Sequence, residues 1–169
     1  MRAGTNDALC AAMMEWLAAI ESSPVALWVR ESNSLWAYPT ILTLHTLGLA
    51  ILVGANWALD FRILGVGSQI PLAPLRRLFP LMWVGFWINA VTGALLFAGD
   101  ATTKGATTVF ALKLGLVAMA VIVVKLTDWS VYGREAEAAP VSGAGKALAV
   151  TSLALWTAAI ALGRYMAYA

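Results

Sequence analysis

The sequence predicts an all-α integral membrane protein, in which four transmembrane helices form a bundle preceded by short amphipathic interfacial helices. Hydrophobic residues make up 61% of the chain and charged residues 12%, whereas soluble domains contain about 25% charged residues. Four apolar runs, at about residues 35–59, 79–98, 105–126 and 147–163, occupy most of the chain. A helix needs about 20 such residues to cross a hydrocarbon core.

The first 34 residues are expected to form a separate segment. Residues 7–20 place apolar side chains on one side of a helix, but they are too few to span a membrane, and Glu15 interrupts them. We expect this segment either to lie in the membrane interface or to pack as an arm on the bundle. Ser23 followed by Pro24 predicts the start of a second short helix, because serine is a favoured N-cap and proline a favoured first residue. Residues 35–169 then form the transmembrane domain.

A polar layer is predicted inside the apolar runs. His45, the one histidine of the chain, lies within the first run, and an ionisable side chain at that depth is expensive and indicates function. At 1.5 Å per residue it is roughly 13 Å from the start of its helix. Asn89 in the second run and Lys113 in the third fall at a similar depth, so we expect the three side chains to face a shared interior.

Glycines accompany this layer. Gly48 follows His45 on the same helical stripe, and its missing side chain would let a flat ligand or another backbone approach. Gly85 and Gly93 lie four residues to either side of Asn89, a spacing that favours close helix packing and interhelical hydrogen bonds.

Each polar residue of the layer also has a purely structural interpretation. His45 would donate a hydrogen bond to a carbonyl of a neighbouring helix, and Asn89 would hold two helices together. Lys113 would extend its stem toward the membrane surface.

The composition restricts the chemistry of the predicted layer. A histidine-based hydrolytic triad needs a buried acid beside His45, and the apolar runs contain none. One histidine and the lone Cys10 argue against an all-protein metal cluster. A single histidine can still ligate haem iron axially. Alternatively, His45 and Lys113 would hydrogen-bond the carbonyl oxygens of a quinone, with Trp87 or Phe86 against its ring.

Several short motifs carry a resemblance to known families. The stretches LHTLGLAILVGANWALDFRILG, RRLFPLMWVGFWINAVTGALL and FALKLGLVAMAVIVV resemble the outline of the four-helix membrane protoporphyrinogen oxidases and of the copper-resistance D membrane domain. Tyr38-Pro39, His45 and Asp60-Phe61-Arg62 are also similar to a pattern in a family of uncharacterised small bacterial membrane proteins with four helices.

This resemblance implies a pocket for haem b. His45 would be its axial ligand, and Lys113 or Arg62 would meet the propionates or an acidic substrate. The chain departs from the oxidase pattern in having no second histidine after the lysine-bearing run, and this departure argues against porphyrinogen oxidation itself.

The function predicted from these residues is that of a small inner-membrane redox protein. It would take part in electron transfer through haem b on His45, or through a quinone at the same layer, with Gly48, Asn89, Lys113, Arg62 and Trp87 completing the cofactor site. One alternative is a non-enzymatic packing subunit of a larger membrane complex, and a further one is a transporter of small molecules or metals. The sequence leaves open whether the protein is an enzyme.

The predicted partners are the lipid bilayer and either further copies of the chain or other subunits of a membrane complex. A net charge of +2 spread over the loops argues against nucleic-acid binding. The resemblance implies a bacterial inner-membrane protein. The basic residues of the loops favour both termini on the periplasmic side, because cytoplasmic loops are enriched in Lys and Arg. The side assigned to the cytoplasm contains Arg62, Arg76, Arg77, Lys125, Arg134 and Lys146, and the opposite side contains Arg2, Arg30, Lys104 and Arg164.

Overall fold

The computed structural model describes residues 3–32, 34, 36–132 and 141–166. These residues form helices and no strand. The helices are α1 (Ala3–Glu21), α2 (Pro24–Glu31), α3 (Tyr38–Leu64), a 3₁₀ turn (Ala73–Arg77), α4 (Leu78–Ala98), α5 (Ala101–Gly105), α6 (Thr108–Val131) and α7 (Gly143–Tyr165). The predicted domain boundary at residue 35 lies outside the described residues, as do Arg2 and Arg134 of the orientation prediction.

Four of these helices, α3, α4 with its preceding 3₁₀ turn, α6 and α7, are long and apolar enough to cross a membrane. They coincide with the four predicted runs, so the all-helical fold class is confirmed. The observed helices extend beyond the predicted ends, for example to Leu64 in α3 and to Val131 in α6. The difference arises because backbone hydrogen bonding continues past the last residue of an apolar run, here through Asp60 in α3 and Asp128 in α6.

The long helices pack in the order α4, α3, α7, α6. Leu52 of α3, Met82 of α4 and Trp156 of α7 are buried in the shared core. Aromatic side chains connect α4 to the α6 region at both ends. Phe97 and Phe110 stack with centroids 4.7 Å apart, and Phe79 meets Tyr132 edge to face at 5.3 Å.

Helix ends follow local sequence signals. The Ser23 hydroxyl accepts a hydrogen bond from the Ala26 N–H, and Pro24 is the first residue of α2, which confirms that predicted start. Ser142 caps α7 in the same way by accepting from the Gly145 N–H at 3.1 Å. Gly65 ends α3 in the left-handed region with φ of 106°, a conformation that glycine adopts without steric cost.

The N-terminal segment is anchored at the end of α1. The Glu21 carboxylate accepts hydrogen bonds from the Thr102 N–H at 2.8 Å and hydroxyl at 2.6 Å, which caps α5 from another part of the chain. Arg30 donates to the same carboxylate at 2.8 Å. Leu17 lies over Gly105, where a Cβ would be 2.7 Å from its Cδ2.

The rest of α1 has an exposed apolar surface. Leu17 is buried, whereas Leu9, Met13 and Trp16, predicted for the same side of the helix, are exposed. Both predicted alternatives therefore retain support, because the end of α1 is an arm docked on α5 while its remaining apolar side chains are free to enter an interface.

Candidate functional site

His45 is held against α4. Its Nδ1 lies 3.0 Å from the Asn89 carbonyl oxygen and 3.1 Å from the Thr92 hydroxyl oxygen. Because a carbonyl oxygen can only accept, Nδ1 carries a proton and donates it to Asn89. A neutral imidazole in this tautomer has its lone pair on Nε2.

Asn89 completes the contact from the other side. Its side-chain Nδ2 donates to the His45 backbone carbonyl at 2.8 Å and lies 3.4 Å from His45 Nε2. The Thr92 hydroxyl donates to the Ile88 carbonyl at 2.6 Å, so its oxygen remains available to accept from the ring. The structural interpretation of His45 and Asn89, interhelical hydrogen bonding, is confirmed.

At each glycine of the layer, atoms of the facing helix occupy the space that a side chain would need. A Cβ on Gly48 would lie 2.8 Å from the Asn89 backbone nitrogen, and one on Gly85 would lie 2.8 Å from the Leu52 nitrogen. A Cβ on Gly93 would lie 3.0 Å from Cε1 of the His45 ring. These positions therefore bring α3 and α4 together, and Gly48 faces a backbone instead of the ligand predicted for it.

Lys113 approaches the same layer from α6. Its charge interacts electrostatically with His45, and its Nζ lies over Gly163 of α7, where a Cβ would be 3.3 Å away. Within the described residues no carboxylate forms an ion pair with Lys113. His45 and Asn89 are thus joined by hydrogen bonds, whereas an electrostatic influence is the link between Lys113 and His45 among the described residues, where the ammonium group has no protein counter-ion.

Two other residues assigned to the site lie elsewhere. Arg62 is 17 residues beyond His45 in α3, about 25 Å along the helix axis. It donates to the Ile70 and Ser68 carbonyls at 2.6 and 3.0 Å, closing the loop after α3. Trp87 is 62% exposed on the outer face of α4. Neither residue contributes to the His45 layer.

The arrangement bears directly on the predicted haem. A ring nitrogen bonded to a backbone carbonyl is typical of a ligating histidine, and His45 Nδ1 has that contact. The other surroundings do not fit a porphyrin between α3 and α4, because Gly93 lies against the ring edge and the Asn89 amide lies beside Nε2. The facing backbones at Gly48 and Gly85 leave no slot there for a planar macrocycle.

A second polar cluster lies nearer the other end of α3. Asn56, Asp60 and Ser152 are at most 3% exposed, and Asn56 Nδ2 donates to Asp60 Oδ2 and to Ser152 Oγ at 2.7 Å each. Asp60, which follows the first apolar run, is therefore buried in this cluster, while Arg62 donates to the Ile70 and Ser68 carbonyls. The signal that could have located Asp60 was its position four residues after Asn56, on the same helical stripe as His45.

The fold and these contacts define an all-helical protein with four helices of membrane-spanning length, a histidine-centred polar layer and a buried carboxyl cluster. No protein-family model, curated protein or solved structure matches the chain.

Proposed function

We propose that the chain is a small multi-pass membrane protein that binds the head group of a lipid-soluble quinone at the layer formed by His45, Asn89 and Lys113. Lys113 carries the proposal. Its ammonium charge acts electrostatically on His45, and no carboxylate within the described residues pairs with it. A quinone carbonyl oxygen would supply a hydrogen-bond acceptor for this ammonium group.

The chemistry of the layer suits both redox forms of a quinone. Lys113 donates a hydrogen bond to a carbonyl oxygen of the oxidised form. His45 Nε2, with its lone pair, accepts a hydrogen bond from the hydroxyl of the reduced form, which takes the place of the 3.4 Å contact from Asn89 Nδ2. Asn89 supports this role because its carbonyl fixes the proton on Nδ1 and so keeps the lone pair on Nε2.

The membrane environment follows from the four long helices and their exposed apolar side chains. Within lipid, helices satisfy all their backbone polar groups internally, and large apolar residues such as Trp87 and Met119 are exposed on the outside of the bundle. The resemblance of its motifs to bacterial membrane families favours a bacterial inner membrane, and the basic loop residues favour both termini on the periplasmic side.

The experiment that tests this function is a titration of the detergent-purified protein with short-chain ubiquinone and menaquinone analogues, followed by quenching of tryptophan fluorescence. We expect saturable binding that is at least tenfold weaker in Lys113→Met. The matched control is Lys125→Met on the same helix, since Lys125 is exposed and lies over the Trp83 ring at 4.4 Å. Equal affinities in both variants would overturn the proposal.

An absorption spectrum of the same preparation, oxidised and then reduced with dithionite, tests the haem prediction. A Soret band that shifts on reduction and disappears in His45→Ala would replace the quinone with a haem. For the porphyrin to reach His45 Nε2, the contact between α3 and α4 would then have to open.

The packing-subunit alternative would need surfaces that bind another protein. The glycines of α4 do not supply one, because Gly85 and Gly93 pack against α3 of the same chain. Under that alternative a second protein accompanies the chain through purification, and Lys113→Met leaves the complex intact.

A further inference from the structure

A buried carboxyl group without a counter-ion lies between α3 and α7. Asp60 is 2% exposed and Ser152 is 1% exposed. The Asp60 carboxyl accepts from Asn56 Nδ2 at 2.7 Å, and the Ser152 hydroxyl lies within hydrogen-bonding reach of it. Both of these partners are neutral.

The charged groups around Asp60 do not neutralise it. Arg62 on its own helix directs its guanidinium to the carbonyls of Ser68 and Ile70. From α7 the facing polar group is Ser152, and from the end of α6 it is the Tyr132 hydroxyl. No cation lies within 4 Å of the Asp60 carboxyl in the part of the chain that the structure describes, and no charged group of α4 acts on it there.

Tyr132 provides a second and independent observation. Its side chain is fully buried, packed edge to face on Phe79, and its hydroxyl has no hydrogen-bond partner among the described residues. It interacts electrostatically with Arg62 and with Asp60. Buried hydroxyls are normally paired, so this hydroxyl is an unused donor within electrostatic range of the Asp60 carboxyl, and we call it the reserve donor.

A carboxylate so deeply buried is unfavourable unless it is neutralised. A metal ion would need several oxygen ligands directed at one point. Here the Asn56 amide nitrogen, a donor, fills the space between Asp60 and Ser152. A proton needs no coordination shell and fits this geometry.

We propose that Asp60 is a reversible proton-binding site of the helix bundle, with Asn56, Ser152 and Tyr132 as the groups that accommodate its two states. The protonated carboxyl is neutral and matches its surroundings. On release, the O–H bond of Asp60 breaks and the proton passes to water at the end of the bundle where Tyr132 lies. The carboxylate that remains accepts hydrogen bonds from Asn56, Ser152 and Tyr132. No oxidation or reduction is involved.

The test is infrared spectroscopy of the full-length protein in detergent at neutral pH. We expect a carbonyl stretching band of a protonated carboxylic acid that shifts in D₂O and is missing from Asp60→Asn. Asp128→Asn is the matched control and keeps the band, because Asp128 is 38% exposed and 3.9 Å from Arg76. Tyr132→Phe retains Asp60 and removes the reserve donor, so its band persists to higher pH than in the wild type.

Three results would overturn the proposal. One is the lack of such a band in the wild type at neutral pH, and another is its survival in Asp60→Asn. The third is its removal by sodium or potassium ions, which would identify a metal-cation site instead. If Asp60→Asn does not accumulate, Tyr132→Phe tests the proposal instead. A band that disappears over the same pH range as in the wild type would contradict the role of the reserve donor and with it the proposal.

Discussion

Gly48 and Gly85 lie backbone to backbone across the contact between α3 and α4. A Cβ on Gly48 would be 3.0 Å from the Gly85 carbonyl oxygen, and a Cβ on Gly85 would be 2.9 Å from the Gly48 carbonyl oxygen. The neighbouring atoms belong largely to the backbone and cannot rotate away. This pair therefore sets how closely the two helices approach and how His45 meets Asn89.

We expect Gly48→Ala or Gly85→Ala to lower the free energy of unfolding by about 1–3 kcal/mol, the usual cost of overpacking. Gly54→Ala on the same helix is the control, because no atom lies within 4 Å of its added Cβ. Alanine there should raise helix stability by up to about 1 kcal/mol. Denaturant unfolding in detergent measures all three variants, and equal stability of Gly48→Ala and Gly54→Ala would refute the close contact.

The hydrogen bonds between His45 and Asn89 should appear as an energetic coupling. A double-mutant cycle of His45→Ala and Asn89→Ala is expected to give about 0.5–2 kcal/mol, the range found for polar contacts between helices in membranes. Thr46 is the control partner, since its hydroxyl donates to the Leu42 carbonyl of its own helix at 2.9 Å. A His45–Asn89 coupling no larger than the His45–Thr46 coupling would show that the contact contributes nothing.

Docking of α1 should weaken in acid. The hydrogen bonds from Thr102 hold the pKa of Glu21 below its ordinary 4.5. Because the folded pKa is lower than the unfolded one, the stabilising contribution is complete above pH 4.5 and is lost as pH falls through the folded value. Limited proteolysis of α1 across this range should show growing cleavage in the wild type.

Glu21→Gln should remove that acid dependence, since its side chain has no carboxylate to titrate. Glu15→Gln is the matched control on the same helix and should behave as the wild type, because Glu15 is exposed. A wild type whose α1 stays equally resistant below pH 4 would contradict the anchoring role of Glu21.

Replacing Trp156 and replacing Trp87 by alanine should lower stability by very different amounts. Trp156 is 1% exposed, so Trp156→Ala is expected to cost about 3–5 kcal/mol. Trp87→Ala removes a ring from the outer surface and should cost less than about 1 kcal/mol. Thermal unfolding of both variants in one detergent checks this, and similar losses would place Trp87 in a contact that the described residues do not provide.

Cys10 gives a direct test of orientation. It is the one cysteine of the chain and is exposed on α1. A membrane-impermeant maleimide should label it in intact spheroplasts if the N-terminus lies outside the cytoplasm. Labelling that requires broken membranes would reverse the assignment, and Cys10→Ser shows that the signal is specific.

The long helices were predictable because spanning a membrane requires apolar runs of a minimum length. The association of His45 and Asn89 was predictable from their equal depth. The burial of Asp60 was not, because it depends on Ser152, which lies 92 residues further along the chain and meets Asp60 only after α3 and α7 pack. The local signal, a position four residues after Asn56 on the stripe of His45, indicates the face of α3 on which Asp60 lies but does not identify Ser152 as its partner.

The assignment of Trp87 to the layer could have been avoided. Trp87 and Asn89 are two residues apart, and such residues point to different sides of an α-helix. Once Asn89 is taken to face the interior, Trp87 must face outward. Arg62 could likewise have been excluded by its distance along α3 from His45.

The cap that Glu21 places on α5 has a consequence for the order in which the chain assembles. Glu21 and Thr102 are 81 residues apart, and a chain emerging from the ribosome presents α1 long before α5 exists. Throughout the synthesis of α3 and α4, Leu17 lacks the surface at Gly105 on which it packs in the finished fold. The N-terminal arm therefore docks only after α4 and α5 have been made, and the exposed apolar side chains of α1, such as Trp16, are available to lipid both before and after docking.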